Sequence, residues 1–120
     1  MLSMFIFETF SVYQLAKKLY EEVLVVIRKR KLDYAVNDQL QRALLSIMLN
    51  IAEGSGKYTR KEKRCFYLIA RGSCHESAAL MKILPFHGIE LSQVNCWYQD
   101  LVTIGKMLTG MIKAFGTKEL

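Results

Sequence analysis

The sequence predicts an all-α fold, an antiparallel up-and-down four-helix bundle formed by residues 1–120 as a single domain. Three observations carry this reading. Apolar residues recur at helical spacing in successive long segments, and no stretch alternates with the two-residue period of a strand. The segments are joined by short stretches that hold the turn-forming residues. One segment, Gln39 to Gly56, is apolar around most of its circumference, so it needs cover on more than one side. In a chain this short one cover is its own core and the other is a second copy, which predicts an oligomer.

The first helix is expected over roughly Thr9–Arg30. Val12, Leu15, Ala16, Leu19, Val23, Val26 and Ile27 share a face, and Thr9 is a fitting N-cap. Arg28, Lys29, Arg30 and Lys31 put cations at the negative end of its dipole. The second is expected over roughly Asp33–Glu53, capped by Asp33 or Asn37 and ended by Gly54 in the left-handed C-terminal position. The third begins at Thr59, since Thr59-Arg60-Lys61-Glu62 has capping-box form. Its expected core face is Phe66, Ile69, Ala70, Ser73, Ser77, Leu80 and Leu84, with Pro85 ending or kinking it and Gly88 closing it. The fourth, roughly Ser92–Phe115, is expected to be capped by Ser92 and stopped by Gly116. Trp97, Leu101, Ile104, Leu108, Met111, Ile112 and Phe115 form its apolar face. Gly105 and Gly110 lie inside it and weaken it by up to about 1 kcal/mol each.

Composition narrows the function. The 120 residues are 52% hydrophobic with one proline, enough for a real core without staples and unlike a disordered chain. The longest apolar run is broken by Ser46 and Asn50 and falls short of the ~20 residues a membrane span needs. The N-terminus lacks the basic leader and cleavage site of a signal peptide. Three cysteines without CxxC spacing fit reduced thiols, so a cytoplasmic location is expected and no membrane partner. The net charge of +6 attracts polyanions.

Two polar constellations stand out. Arg42, Ser46, Asn50 and Glu53 form a narrow strip amid the apolar surface of the second helix. Ser73, Ser77 and Glu76 of the third helix are its candidate partners, with Arg42–Glu76 as a charge-assisted pair, so the strip reads as a lock of helix register. A catalytic reading with Glu53 and Glu76 as paired carboxylates would need a pocket around them. The second constellation is a basic stripe opposite the expected apolar face of the third helix. Arg60, Arg64, Arg71 and Lys82, with His75 beside them and Lys57, Lys61 and Lys63 near the start, span about 33 Å at 1.5 Å per residue. Such a row suits a phosphate backbone; a plainly solvated face gives the same pattern. Tyr58 and Tyr67 lie nearby but do not establish base stacking. The GSGK turn is not a phosphate loop, because Ile51 stands where the first glycine belongs and Tyr58 follows the lysine. The Cys74-His75 pair, with Cys65, Cys96 and His87 scattered, gives no metal spacing, and no catalytic triad spacing exists.

Residues 39–80 closely resemble the four-helix-bundle proteins related to the 23S rRNA intervening-sequence proteins. That family's hallmark is Q-x-x-R-A-x-x-S-I-x-x-N-I-A-E-G, a basic turn, then I-A-x-G-S-x-x-E. Gln39, Arg42, Ala43, Ser46, Ile47, Asn50, Ile51, Ala52, Glu53 and Gly54 match the first part, and Ile69, Ala70, Gly72, Ser73 and Glu76 the second. Met48 stands where the family often has proline, which predicts a straighter helix, and the usual proline before the second helix is absent. The resemblance implies assembly into a ring, typically a homopentamer. The accessory variability determinant of diversity-generating retroelements is similar to this family, and there a basic pentamer binds nucleic acid and a reverse transcriptase.

The resulting expectation is a non-enzymatic, cofactor-free, basic oligomer that binds nucleic acid, RNA or an RNA–DNA intermediate. By resemblance it is an accessory factor to a retroelement reverse transcriptase. The alternative is a protein-interaction scaffold that does not touch nucleic acid.

Overall fold

The computed structural model describes residues 5–116. A short 3-10 turn at Ile6–Thr9 precedes α1 (Ser11–Arg30), α2 (Tyr34–Ser55) and α3 (Arg60–Met81); a second 3-10 turn at Leu84–His87 leads into α4 (Leu91–Ala114). No strand occurs among the described residues. The helices pack in a cycle, α1 on α2, α2 on α3, α3 on α4 and α4 on α1, with α2 and α3 the most extensive pair.

One core runs through all four helices. α1 contributes Val12, Ala16, Leu19, Val23 and Ile27, and α4 contributes Val94, Trp97, Leu101, Ile104, Leu108 and Ile112. Leu40, Ala43, Leu44, Ile47, Met48 and Ile51 of α2 are buried, and α2 runs unbroken through Met48.

The third helix departs from the expected face by a rotation about its axis. Its buried residues are Tyr67, Ala70, Cys74, Ser77 and Met81, whereas Ile69 is 51% exposed and Phe66, Ser73 and Leu80 are half-buried. A helix wedged between two neighbours buries the stripe pointing between them, and α3 lies between α2 and α4. The apolar pattern alone did not separate that stripe from a second one that the isolated chain leaves open.

The helix ends also sort the capping expectations. Asp33 caps α2 by accepting from the Ala35 amide at 3.0 Å, and Thr59 caps α3 by accepting from the Glu62 amide at 3.0 Å. Thr9 does not cap α1: its hydroxyl donates to the Ile6 carbonyl at 2.7 Å inside the 3-10 turn, and Phe10 takes the cap position. Ser92 lies inside α4, whose cap position is held by Glu90 without a side-chain bond. Gly54 is not a left-handed terminus. It is buried within α2, which continues to Ser55 and closes at Gly56 with φ −86°. Gly88, at φ +90°, takes the left-handed closing role that the loop after Pro85 requires.

Candidate nucleic-acid interface

The polar strip of α2 divides into an interhelical lock and an exposed edge. Ser46 and Ser73 share a hydroxyl hydrogen bond of 2.7 Å across α2 and α3. Asn50 Nδ2 donates to the Ser46 carbonyl at 2.8 Å and to its Oγ at 3.0 Å. Gln39 Nε2 donates to Glu76 Oε2. Buried Ser77 donates back to the Ser73 carbonyl at 2.8 Å, so both serines of α3 have partners. The expected Arg42–Glu76 pair does not form. Arg42 is exposed and pairs with Asp38 one turn away at 3.5 Å, while Glu76 is taken by Gln39. Glu53 pairs with Lys57 at 3.4 Å. About 21 Å of helix axis separates Gln39, and with it Glu76, from Glu53, so the two carboxylates do not form a site.

The basic stripe is not a free face opposite the core. Three of its cations, Arg60, Arg71 and Lys82, lie against α4 and the residue that follows it, because the rotation of α3 turns them that way. Arg60 donates to the Ala114 carbonyl at the end of α4 and lies 5.4 Å over the Phe115 ring. Arg71 Nη1 donates to the Thr109 hydroxyl at 3.3 Å, and the Lys82 ammonium lies 4.1 Å over the Tyr98 ring. Lys63 donates to the Ser55 carbonyl at 2.9 Å, closing the last turn of α2. Lys57 adds a contact with the Phe66 ring at 5.1 Å. Lys61 is exposed, and Arg64 is half-buried with a buried Nε that has no partner. Tyr58 is fully solvent-facing and Tyr67 is core, so no pair of tyrosines flanks the stripe.

These contacts position the cations without neutralising them. Among the described residues no cation of α3 has a carboxylate within ion-pair range. Lys17, Lys18, Arg42 and Lys57 each pair with an acid one turn away. Carbonyls, a hydroxyl and ring faces hold the α3 side chains in place, so their positive charge stays available to a polyanion.

Between α3 and α4 the stripe borders a groove of ≈390 Å³. Its floor is Cys74, Ala78, Leu101, Val102 and Gly105, and its rim is His75, Tyr98, Lys106 and Thr109. His75 Nδ1 donates to the Arg71 carbonyl at 2.9 Å, which leaves Nε2 for other partners. Cys74 donates to the Leu101 carbonyl at 3.2 Å, and burial pushes its thiol up to about 11, so it is no nucleophile. Lys106 joins this surface although sequence reasoning passed over it; only the packing of α4 on α3 brings it to the same groove as His75. A second group, Arg28, Lys29, Arg30 and Lys31, was read only as dipole complement. All of them are exposed and have no ion-pair partner among the described residues. Four consecutive cations in the sequence already signalled a patch.

Among the described residues no cluster of His, Cys, Asp or Glu could hold a metal ion, and no helix is long and apolar enough to cross a membrane.

A family model described as 23S rRNA-intervening sequence protein matches residues 8–110. The chain belongs to that family. The structure is similar to a crystal structure of a protein with unknown function from the S23 ribosomal protein family of Bacteroides thetaiotaomicron, with TM-score 0.78 and 20% identity. That match covers 85% of this chain and 98% of the other, and at this identity it speaks for the fold alone. No protein of curated function matches the sequence. Within this member of the family, hallmark residues have physical roles. Ser46, Ser73, Gln39 and Glu76 join α2 to α3, and Gly54 lets Tyr67 approach α2 closely. Gly72 is different: a Cβ there would meet nothing within 4 Å.

Proposed function

We propose that this chain is a non-enzymatic, cytoplasmic, oligomeric module that binds nucleic acid, with RNA as the ligand. The row of un-neutralised cations on α3 carries the reading. Arg60, Lys61, Lys63, Arg64, Arg71 and Lys82 lack acid partners among the described residues, and Lys57 and His75 border them. Affinity then comes chiefly from phosphate contacts and counterion release, with weak sequence preference, because no groove-reading element occurs among the described residues. The family's name, which refers to 23S rRNA, fits an RNA ligand. A reverse transcriptase as protein partner rests on the resemblance to the retroelement accessory proteins alone.

The assembly part of the proposal is an antiparallel up-and-down bundle closed into a ring, a homopentamer by family resemblance. Its support is the second apolar side of α2. Leu45 and Leu49, the latter 57% exposed, lie beside the Ser46–Ser73 seam, with Ile69 exposed across it. The same patch favours the second reading, a protein-interaction scaffold without nucleic acid.

Fluorescence anisotropy with a structured RNA at low and raised salt separates the two. The proposal expects binding that weakens steeply with salt and falls when Arg60, Arg64 and Arg71 are changed together to Gln, with helicity by circular dichroism retained. Undetectable binding at low salt, or binding indifferent to the triple change, leaves the scaffold reading in its place.

A further inference from the structure

We propose that the α3–α4 groove receives one unstacked base of a single-stranded RNA, with the neighbouring phosphates on Lys106, Arg71 and Lys82. This rests on the nucleic-acid reading above and narrows it to a subsite and a class of ligand.

Size comes first. At ≈390 Å³ the groove sits at the small end of ligand pockets, about 300–1,000 Å³, and has room for one nucleoside-sized group rather than a folded element. Chemistry comes second. The floor is apolar, suited to the face of a planar base, and the rim offers the hydrogen-bonding groups of His75, Tyr98, Lys106 and Thr109. No carboxylate lines the groove, and Lys106 has no ion-pair partner among the described residues. Arg71 is held at one end of the groove by the rim residue Thr109, and Lys82 at the other by the rim residue Tyr98. An apolar slot about 16 Å long between Arg71 and Lys82, with cations at both ends, matches one base within a strand whose phosphates run on past both ends. Duplex bases are paired and stacked, so a duplex can offer this surface only its backbone; a single strand offers the base as well.

Gly105 supplies the means of testing it. The groove is open because this residue, in the interior of α4, has no side chain. A Cβ there would meet Cys74 Sγ at 3.8 Å, an ordinary contact. Gly105→Ala is therefore tolerated by the fold, while Gly105→Leu extends into the groove and obstructs its middle.

The experiment measures anisotropy of a fluorescein-labelled single-stranded RNA of about 12 nucleotides, within the usual range of single-strand site sizes, and of the same sequence as a duplex. It uses the wild type, Gly105→Ala, Gly105→Leu and Lys106→Glu, each checked for helicity. Gly105→Leu should weaken single-strand binding by about tenfold, the order of one lost stacked base, and leave duplex binding, which does not use the groove, in place; Gly105→Ala, which adds one methyl to the same floor, should weaken the single strand less. Lys106→Glu, which leaves the packing alone, should weaken the single strand more than the duplex. Equal losses on both probes, or no effect of Gly105→Leu and Lys106→Glu where binding is present, overturn the groove while leaving the stripe. No binding of either probe at low salt defeats the nucleic-acid reading and the subsite together. Uridine monophosphate that binds where the strand does not would make the ligand a free nucleotide and overturn the assignment to a strand.

Discussion

Tyr67 packs its ring against the bare Cα of Gly54. A Cβ built at Gly54 would lie 2.7 Å from Tyr67 Cε1 and 3.0 Å from Phe66 Cβ, inside any real contact distance. Gly54 therefore serves close approach of α2 to α3, just before the turn that joins them, and not a left-handed helix end. Tyr67 is buried there, and burial raises its phenol above the ordinary value of 10.

Gly54→Ala should destabilise the protein even though alanine favours helix. Overpacking against a buried ring costs about 1–3 kcal/mol, while the propensity gain returns at most about 1 kcal/mol. Gly110→Ala is the opposite case, since its Cβ meets nothing within 4 Å in the interior of α4, and it should stabilise by up to about 1 kcal/mol. Chemical denaturation checks the pair, and a raised midpoint for Gly54→Ala would refute the packing account.

Ser46 and Ser73 should behave as a coupled pair. Ser73→Ala leaves the half-buried Ser46 hydroxyl without its cross-helix partner, at a cost of about 0.5–1.5 kcal/mol. Removing both hydroxyls removes the need for the bond, so the double variant should lose less than the sum of the single losses. A double-mutant cycle on unfolding free energies measures this; strict additivity would mean the hydroxyls do not interact.

The extent to which these features were legible in the sequence varied with how local their causes are. The faces of α1 and α4 followed directly from helical spacing, because each buries one stripe. The caps Asp33 and Thr59 were legible because they need only the first helical turn. The face of α3 was legible in part, at Ala70, Ser77 and, just past its end, Leu84; the helix carries two apolar stripes, and only the positions of α2 and α4 decide that Tyr67, Cys74 and Met81 go inward while Ile69 stays out. The same rotation explains the candidate site. The cations of α3 and its C-cap were found from the sequence, but their seats on Phe115, Thr109 and Tyr98 lie 16 to 55 residues further along the chain, and Lys106 enters only through that packing.

Gly72 and the exposed leucines make a prediction about assembly. Gly72 has open space around it in this chain, so Gly72→Ala should raise monomer stability by up to about 1 kcal/mol through helix propensity. If the Leu45, Leu49 and Ile69 surface is the subunit contact, Leu49→Lys should dissociate the oligomer by burying an unpaired charge. Light scattering at micromolar concentration reads this. A wild-type monomer, or an unchanged mass for Leu49→Lys, would count against the assembly.

The buried thiol of Cys74 makes stability fall at alkaline pH. Its folded value lies near 11 against an ordinary 9.0, so the folded protein holds this proton more tightly than the unfolded chain. The stabilisation is complete below pH 9 and is lost as pH rises toward about 11. Tyr67 is raised too, so its loss has the same sign but begins near pH 10. Denaturation midpoints should therefore decline from pH 9 upward, and Cys74→Ala should flatten the first part of that decline. At pH 8 the exposed Cys65 and Cys96 should react rapidly with a disulfide reagent while Cys74 reacts only on unfolding. Rapid reaction of all three thiols in the folded state would mean that the packing of α3 on α4 at the groove floor opens far more readily than the Cys74–Leu101 contact implies.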